Sequence, residues 1–129
     1  MSSRWVLDAS ALLALLNHEP GSGQVEQVLG EGALVTAVNV SEVVAKLSDA
    51  GMPEQAIRQV LEALPFTIVA FGEELAYRAG MLRQATHTAG LSLGDRACLA
   101  LAQQTGATAL TTDHAWANLS LGISLRVLR

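Results

Sequence analysis

Five short apolar runs, each the length of one β-strand and each parted from the next by a helix-patterned segment, most constrain what this chain can fold into. They are residues 5–8 (Trp5-Val6-Leu7-Asp8), 33–36, 66–69, 108–111 and 123–127. The run at 66–69 is rich in β-branched and aromatic residues. Helical patterns fill the gaps at about 10–17, at 24–29 ending on Gly30, and at about 37–50 with Gly51 just past the end. A fourth helix carries Pro53 in its first turn and stops before Pro65. A fifth runs over about 73–88 with acids in its first turn and Gly90 beyond it, and a last, capped by Ser92, reaches Gln104 ahead of Gly106. Strands parted by helices pair in parallel, and a parallel sheet is covered on both faces. The expected fold is therefore α/β, three layers with a central parallel sheet of about five strands. At 129 residues the expectation is one domain spanning 1–129.

Half of the residues are apolar and only 16% are charged, which supplies a core and excludes a disordered chain. No apolar run approaches the ~20 residues of a membrane span. The longest tidy one, 9–16, follows Arg4 and loosely mimics a secretion signal. Asp8 interrupts that pattern, and Asn17-His18-Glu19-Pro20 offers no small-residue cleavage site. Cys98 is the single cysteine and cannot form an intrachain disulfide. It lies in the pattern Ala97, Cys98, Leu101, Ala102, as a buried helix residue does. A cytoplasmic, reducing location and no membrane partner are expected.

The net charge of −4 comes from twelve acidic and eight basic residues, a poor balance for a nucleic-acid binder. It changes if four of the acids gather around divalent cations, because the remaining eight acidic residues then match eight basic ones. Asp8, Glu42, Asp95 and Asp113 are candidates for such a cluster. In an open α/β sheet, function collects at the carboxyl ends of the strands, where helix N-termini also point. Asp8 closes the first strand, Asp113 follows the run 108–111, Glu42 lies early in the helix leaving the second strand, and Asp95 lies in the first turn of the helix capped by Ser92.

Converging carboxylates raise one another's pKa unless a cation neutralises them. Mg²⁺ and Mn²⁺ take hard oxygen ligands, keep open positions for phosphate oxygens, and can generate hydroxide from bound water. Phosphodiester hydrolysis fits that chemistry. Zinc fits less well, since His18, His87 and His114 show no paired ligand spacing. Supporting groups stand close by. Ser10 can bond the Asp8 carboxylate, Asn39 lies three residues before Glu42 on nearly the same helical face, and Thr112 can orient Asp113 or a metal-bound water. Arg96, next to Asp95, is a candidate phosphate contact.

Each acid also has an ordinary explanation. Asp8 and Ser10 can cap a helix, Ser92-Leu93-Gly94-Asp95 fits a capping box, Glu42 and Lys46 can pair at i, i+4, and Asp113 can cap residues 114–118. Trp5, Trp116 and Phe66 read as core, His87 and His114 as exposed, and Arg78 and Arg83 as a solvated face.

Taken in order, Val6-Leu7-Asp8-Ala9-Ser10-Ala11-Leu12, Asn39-Val40-Ser41-Glu42-Val43-Val44, Leu91-Ser92-Leu93-Gly94-Asp95-Arg96-Ala97-Cys98-Leu99-Ala100 and Leu110-Thr111-Thr112-Asp113 resemble the PIN-domain family, and within it the VapC-type toxins of bacterial toxin–antitoxin pairs. The resemblance runs over nearly the whole chain. It implies a parallel sheet of order 3-2-1-4-5 and a Mg²⁺- or Mn²⁺-dependent endoribonuclease acting on an RNA substrate. It also implies a homodimer and a cognate antitoxin that blocks the site. By the same resemblance, positions matching Asp8, Glu42, Asp95 and Asp113 form the metal site, with those matching Ser10 and Thr112 beside it.

Other readings compete. A receiver-type phospho-acceptor domain wants an acidic pair before the first helix and a lysine after a late strand. Asp8-Ala9-Ser10 has one acid, and Lys46 is the sole lysine. A phosphatase with an aspartyl nucleophile wants a second acid where Ser10 stands. A non-catalytic PIN-fold protein-binding module remains the alternative from another class, and retention of all four acids argues against it.

Overall fold

The structure is a computed structural model and describes residues 4–128. In chain order it contains β1 (Trp5–Leu7), α1 (Ala9–Leu16), α2 (Ser22–Glu31), β2 (Ala33–Thr36), α3 (Ala37–Asp49), α4 (Glu54–Glu62) and β3 (Phe66–Val69). There follow α5 (Glu73–Met81), α6 (Arg83–Thr86), α7 (Leu93–Thr105), β4 (Thr108–Thr111), a 3₁₀ turn (His114–Asn118) and β5 (Leu125–Val127). The five strands form one wholly parallel sheet of order β3-β2-β1-β4-β5. That order differs from the 2-1-3-4-5 arrangement of receiver-type domains and removes that alternative.

The central strand β1 buries Val6 and Leu7 completely, one to each face, as a strand covered by helices on both sides must. Leu7 packs with Leu12, Val25, Val35, Val43 and Leu110 on one face. Val6 packs with Ala79, Leu99, Ala109 and Trp116 on the other. Between Ala97 and Ala102 every residue of α7 is buried. Three of those are alanines, whose small side chains let the helix lie close to the sheet. Register places Leu7 opposite Leu110, so the residues that follow each of them, Asp8 and Thr111, emerge side by side at the same strand end.

Several boundaries differ from the sequence expectation. Asp8 lies one residue beyond β1, as the N-cap of α1. Helix α2 passes through Gly30 and stops at Gly32, whose φ of 107° ends it. Pro53 is the N-cap of α4, one position before its first turn. The largest departure is in 73–88, which divides into α5 and α6 at Leu82. The Ala79 carbonyl there receives Nη1 of Arg96 at 3.0 Å, so a side chain from α7 enters the hydrogen-bond ladder where the helix breaks. Among the described residues no helix is long and apolar enough to cross a membrane.

Candidate active site

Three helices begin at the carboxyl edge of the sheet with side-chain caps: α1 on Asp8, α3 on Thr36 and α7 on Ser92. Their first turns carry most of the candidate polar groups. Asp8 is 3% exposed. Its Oδ1 accepts from the Ala11 amide at 2.9 Å and from Ser10 Oγ at 2.7 Å. Its Oδ2 accepts from Thr111 Oγ1 at 2.5 Å. Burial pushes the carboxyl up to about 6; the three hydrogen bonds act against that rise, and the charge of Asp95 adds to it.

Glu42 projects from α3, half-buried, and its Oε1 accepts from Asn39 Nδ2 at 3.0 Å. Partial burial raises its pKa, Asn39 opposes the rise, and Asp95 again reinforces it. No ion pair joins Glu42 to Lys46 among the described residues; the side chain turns to Asn39 instead. Asp95 closes the capping box expected for Ser92: its Oδ2 accepts from the Ser92 amide at 2.9 Å, and Ser92 Oγ accepts from the Asp95 amide at 3.2 Å. Asp8, Glu42 and Asp95 thus lie in one electrostatic neighbourhood. Cys98, fully buried on α7, registers all three: burial first, then the charges of Asp8, Asp95 and Glu42, push its thiol well above the usual range.

Asp113 stands at the rim. It is exposed and caps the 3₁₀ turn, with Oδ1 accepting from the Ala115 amide at 2.9 Å. Buried Trp116 anchors that turn. The link from Asp113 to Asp8 is Thr111, whose Oγ1 accepts from the Asp113 amide at 3.0 Å while donating to Asp8. Sequence reasoning gave this place to Thr112. In the structure Thr112 contributes its amide, which donates to Ser10 Oγ at 2.9 Å, and the buried hydroxyl beside Asp8 is that of Thr111. Arg96 is drawn to α5, with Nη1 on the Ala79 carbonyl and Nε buried without a partner, rather than placed as a free phosphate contact.

The donor set is four carboxylates and hydroxyls, the hard oxygen chemistry that Mg²⁺ or Mn²⁺ takes. None of the four acids forms a salt bridge among the described residues, so none of those residues offers their negative charge a cationic partner. As the side chains stand, no three His, Cys, Asp or Glu among the described residues are gathered closely enough to hold a metal ion. The fit is one of chemistry and charge. Closure around an ion would require the carboxylates to draw closer together.

A family model described as the PIN domain matches residues 5–120. No curated protein matches the chain by sequence. Among solved structures, the DNA-bound VapBC of Salmonella typhimurium is similar with a TM-score of 0.76 and 14% identity, covering 98% of this chain and 98% of that one. VapBC2 from Rickettsia felis, bound to a DNA fragment from their promoter, gives 0.73 and 16%, covering 97% and 98%. A toxin–antitoxin complex from Klebsiella pneumoniae gives 0.66 and 24%, covering 88% and 91%. These structures share the fold of five parallel strands in the order observed here. With the family model spanning most of its length, the chain belongs to the PIN-domain family.

Proposed function

We infer that the chain is a Mg²⁺- or Mn²⁺-dependent endoribonuclease, acting in the cytoplasm as the toxin of a toxin–antitoxin pair. The observation that carries this reading is a buried carboxylate, Asp8, coupled to Asp95, which is coupled in turn to Glu42, with no salt bridge to any of them among the described residues. Asp8, Glu42, Asp95 and Asp113 would hold the ion. When bound, it would activate water and stabilise charge developing on a phosphoryl group. The chain's own part is positional. Ser10, Thr111 and the Ala11 amide fix the orientation of Asp8, and Asn39 fixes that of Glu42.

Partners follow from relatives and surface. The Klebsiella pneumoniae relative is a toxin–antitoxin complex, which supports a cognate antitoxin here. Tyr77 and Met81, 69% and 80% exposed, stand four residues apart on α5, so one helix face offers solvent an apolar pair suited to a homodimer contact. A non-catalytic binding module is the second reading, favoured by the open spacing of the acids.

Purified protein incubated with mixed RNA, and separately with DNA, with Mg²⁺, Mn²⁺ or a chelator, decides between them. Cleavage of RNA that needs the ion and disappears in Asp8→Asn, with an unchanged circular dichroism spectrum, is the expected outcome. Cleavage of equal rate in Asp8→Asn, or none by the wild type, contradicts it.

A further inference from the structure

Gly94 lies in the first turn of α7, immediately before Asp95, and its φ is outside the left-handed region that would call for glycine. Helix propensity disfavours it too, since alanine is the better residue in a helical turn. The reason for its smallness lies across the helix interface. A Cβ at Gly94 would fall on the carboxylate of Glu42, closer to both oxygens and to Cδ than real carbon atoms approach. The Glu42 carboxylate occupies the place where a side chain at 94 would be.

Asn39 completes the seat. Thr36 Oγ1 accepts from the Asn39 amide at 3.1 Å, leaving its own proton for Asn39 Oδ1 at 2.7 Å. That contact fixes which end of the Asn39 amide faces the site. The Nδ2 end then donates to Glu42 Oε1 at 3.0 Å and to the Gly94 carbonyl at 3.0 Å. Fully buried, Asn39 ties the acid of α3 to the very residue of α7 on which that acid rests.

We propose that Gly94 and Asn39 are positioning residues that form a fitted seat for the Glu42 carboxylate and thereby set the affinity of the site for a divalent ion. The proposal rests on the metal-dependent reading above and goes beyond it by assigning α7 a role in placing an acid of α3. Outer groups that orient a metal ligand are worth about 10- to 100-fold in metal affinity, and the loss of the seat is expected in that range.

The test is Mn²⁺ binding alone, followed by electron paramagnetic resonance of the free ion, on the full chain carrying no substitution, Gly94→Ala, Glu42→Asp, or both. Gly94→Ala is expected to weaken binding about tenfold or more. Glu42→Asp withdraws the carboxylate by one methylene, so on that background the same glycine change should cost less than about twofold. A merely structural role for Gly94 would give equal losses on both backgrounds. Melting in chelator checks that all four proteins fold, and Asn39→Ala, which leaves Gly94 intact, should weaken Mn²⁺ binding in its own right. Equal Mn²⁺ affinity of Gly94→Ala and wild type, or equal losses on the two backgrounds, overturns the seat while leaving the metal site standing. Failure of the wild type itself to bind Mn²⁺ overturns the metal-dependent reading and the seat together.

Discussion

Burial lifts the Asp8 carboxyl to about 6 although three hydrogen bonds act to lower it. The folded protein therefore holds the Asp8 proton more tightly than the unfolded chain, where the value is 3.8. For a carboxyl raised on folding, stability is fullest below the unfolded value, declines as pH rises from there through about 6, and stays reduced above. The deficit is about 3 kcal/mol at pH 8. Asp8→Asn, which keeps an acceptor for Ser10 or Thr111, should then melt higher than wild type in chelator at pH 8. The gap should close below about pH 4. Adding Mn²⁺ should reverse the ranking, because only the wild type gains binding energy on the folded side. Urea melts at the two pH values, with and without ion, measure this; a variant less stable than wild type at pH 8 in chelator contradicts it.

Thr111→Val should cost about 1.5–3 kcal/mol of stability, since it removes a donor to a buried acid and an acceptor for the Asp113 amide. Thr111→Ser should keep both. Urea denaturation of the two variants makes the comparison. Thr111 was legible only in part from sequence. Its neighbour Thr112 sits beside Asp113 in the chain and drew the assignment. The signal for Thr111 is register: once β1 and β4 are known to be adjacent with Leu7 opposite Leu110, the next residues, Asp8 and Thr111, meet. Strand adjacency is a tertiary fact, and one-dimensional spacing does not contain it.

Elements were legible where their ends carry local chemistry. The Ser92–Asp95 capping box and the bounds of β2, β3 and β4 follow from cap residues and β-branched runs. Capping and site chemistry coincide here rather than compete. Asp8, Asp95 and Asp113 each bond a backbone amide at the start of a helical segment, and that bond delivers the carboxylate to the sheet edge. Ser92→Ala should cost about 1 kcal/mol and Ser92→Gly only a few tenths, as judged by denaturation midpoints. Equal losses would mean that the hydroxyl cap contributes little. The division of 73–88 was not legible, because Arg96, which meets the chain at that break, arrives from α7. The seat of Glu42 on Gly94 was hidden for the same reason. A glycine inside a capping box reads as a weak helix residue until the facing helix is in place.

At the scale of the whole molecule, five strands alternating with helices were enough for a covered parallel sheet, while their order came through resemblance and agrees with the structure. Gathering four acids at one edge rested on the same topology. The fold brings Asp95 into electrostatic reach of both Asp8 and Glu42 and leaves Asp113 at the rim. Sedimentation at micromolar concentration should give a dimer that Tyr77→Glu with Met81→Glu dissociates without unfolding. A wild-type monomer would show that the apolar pair on α5 serves another purpose.

The most direct test of the central claim is anomalous diffraction from crystals grown with Mn²⁺. The account requires a peak about 2 Å from an Asp8 oxygen, with Glu42 and Asp95 beside it. Crystals with no peak at that edge, or with Mn²⁺ bound only elsewhere, would contradict it.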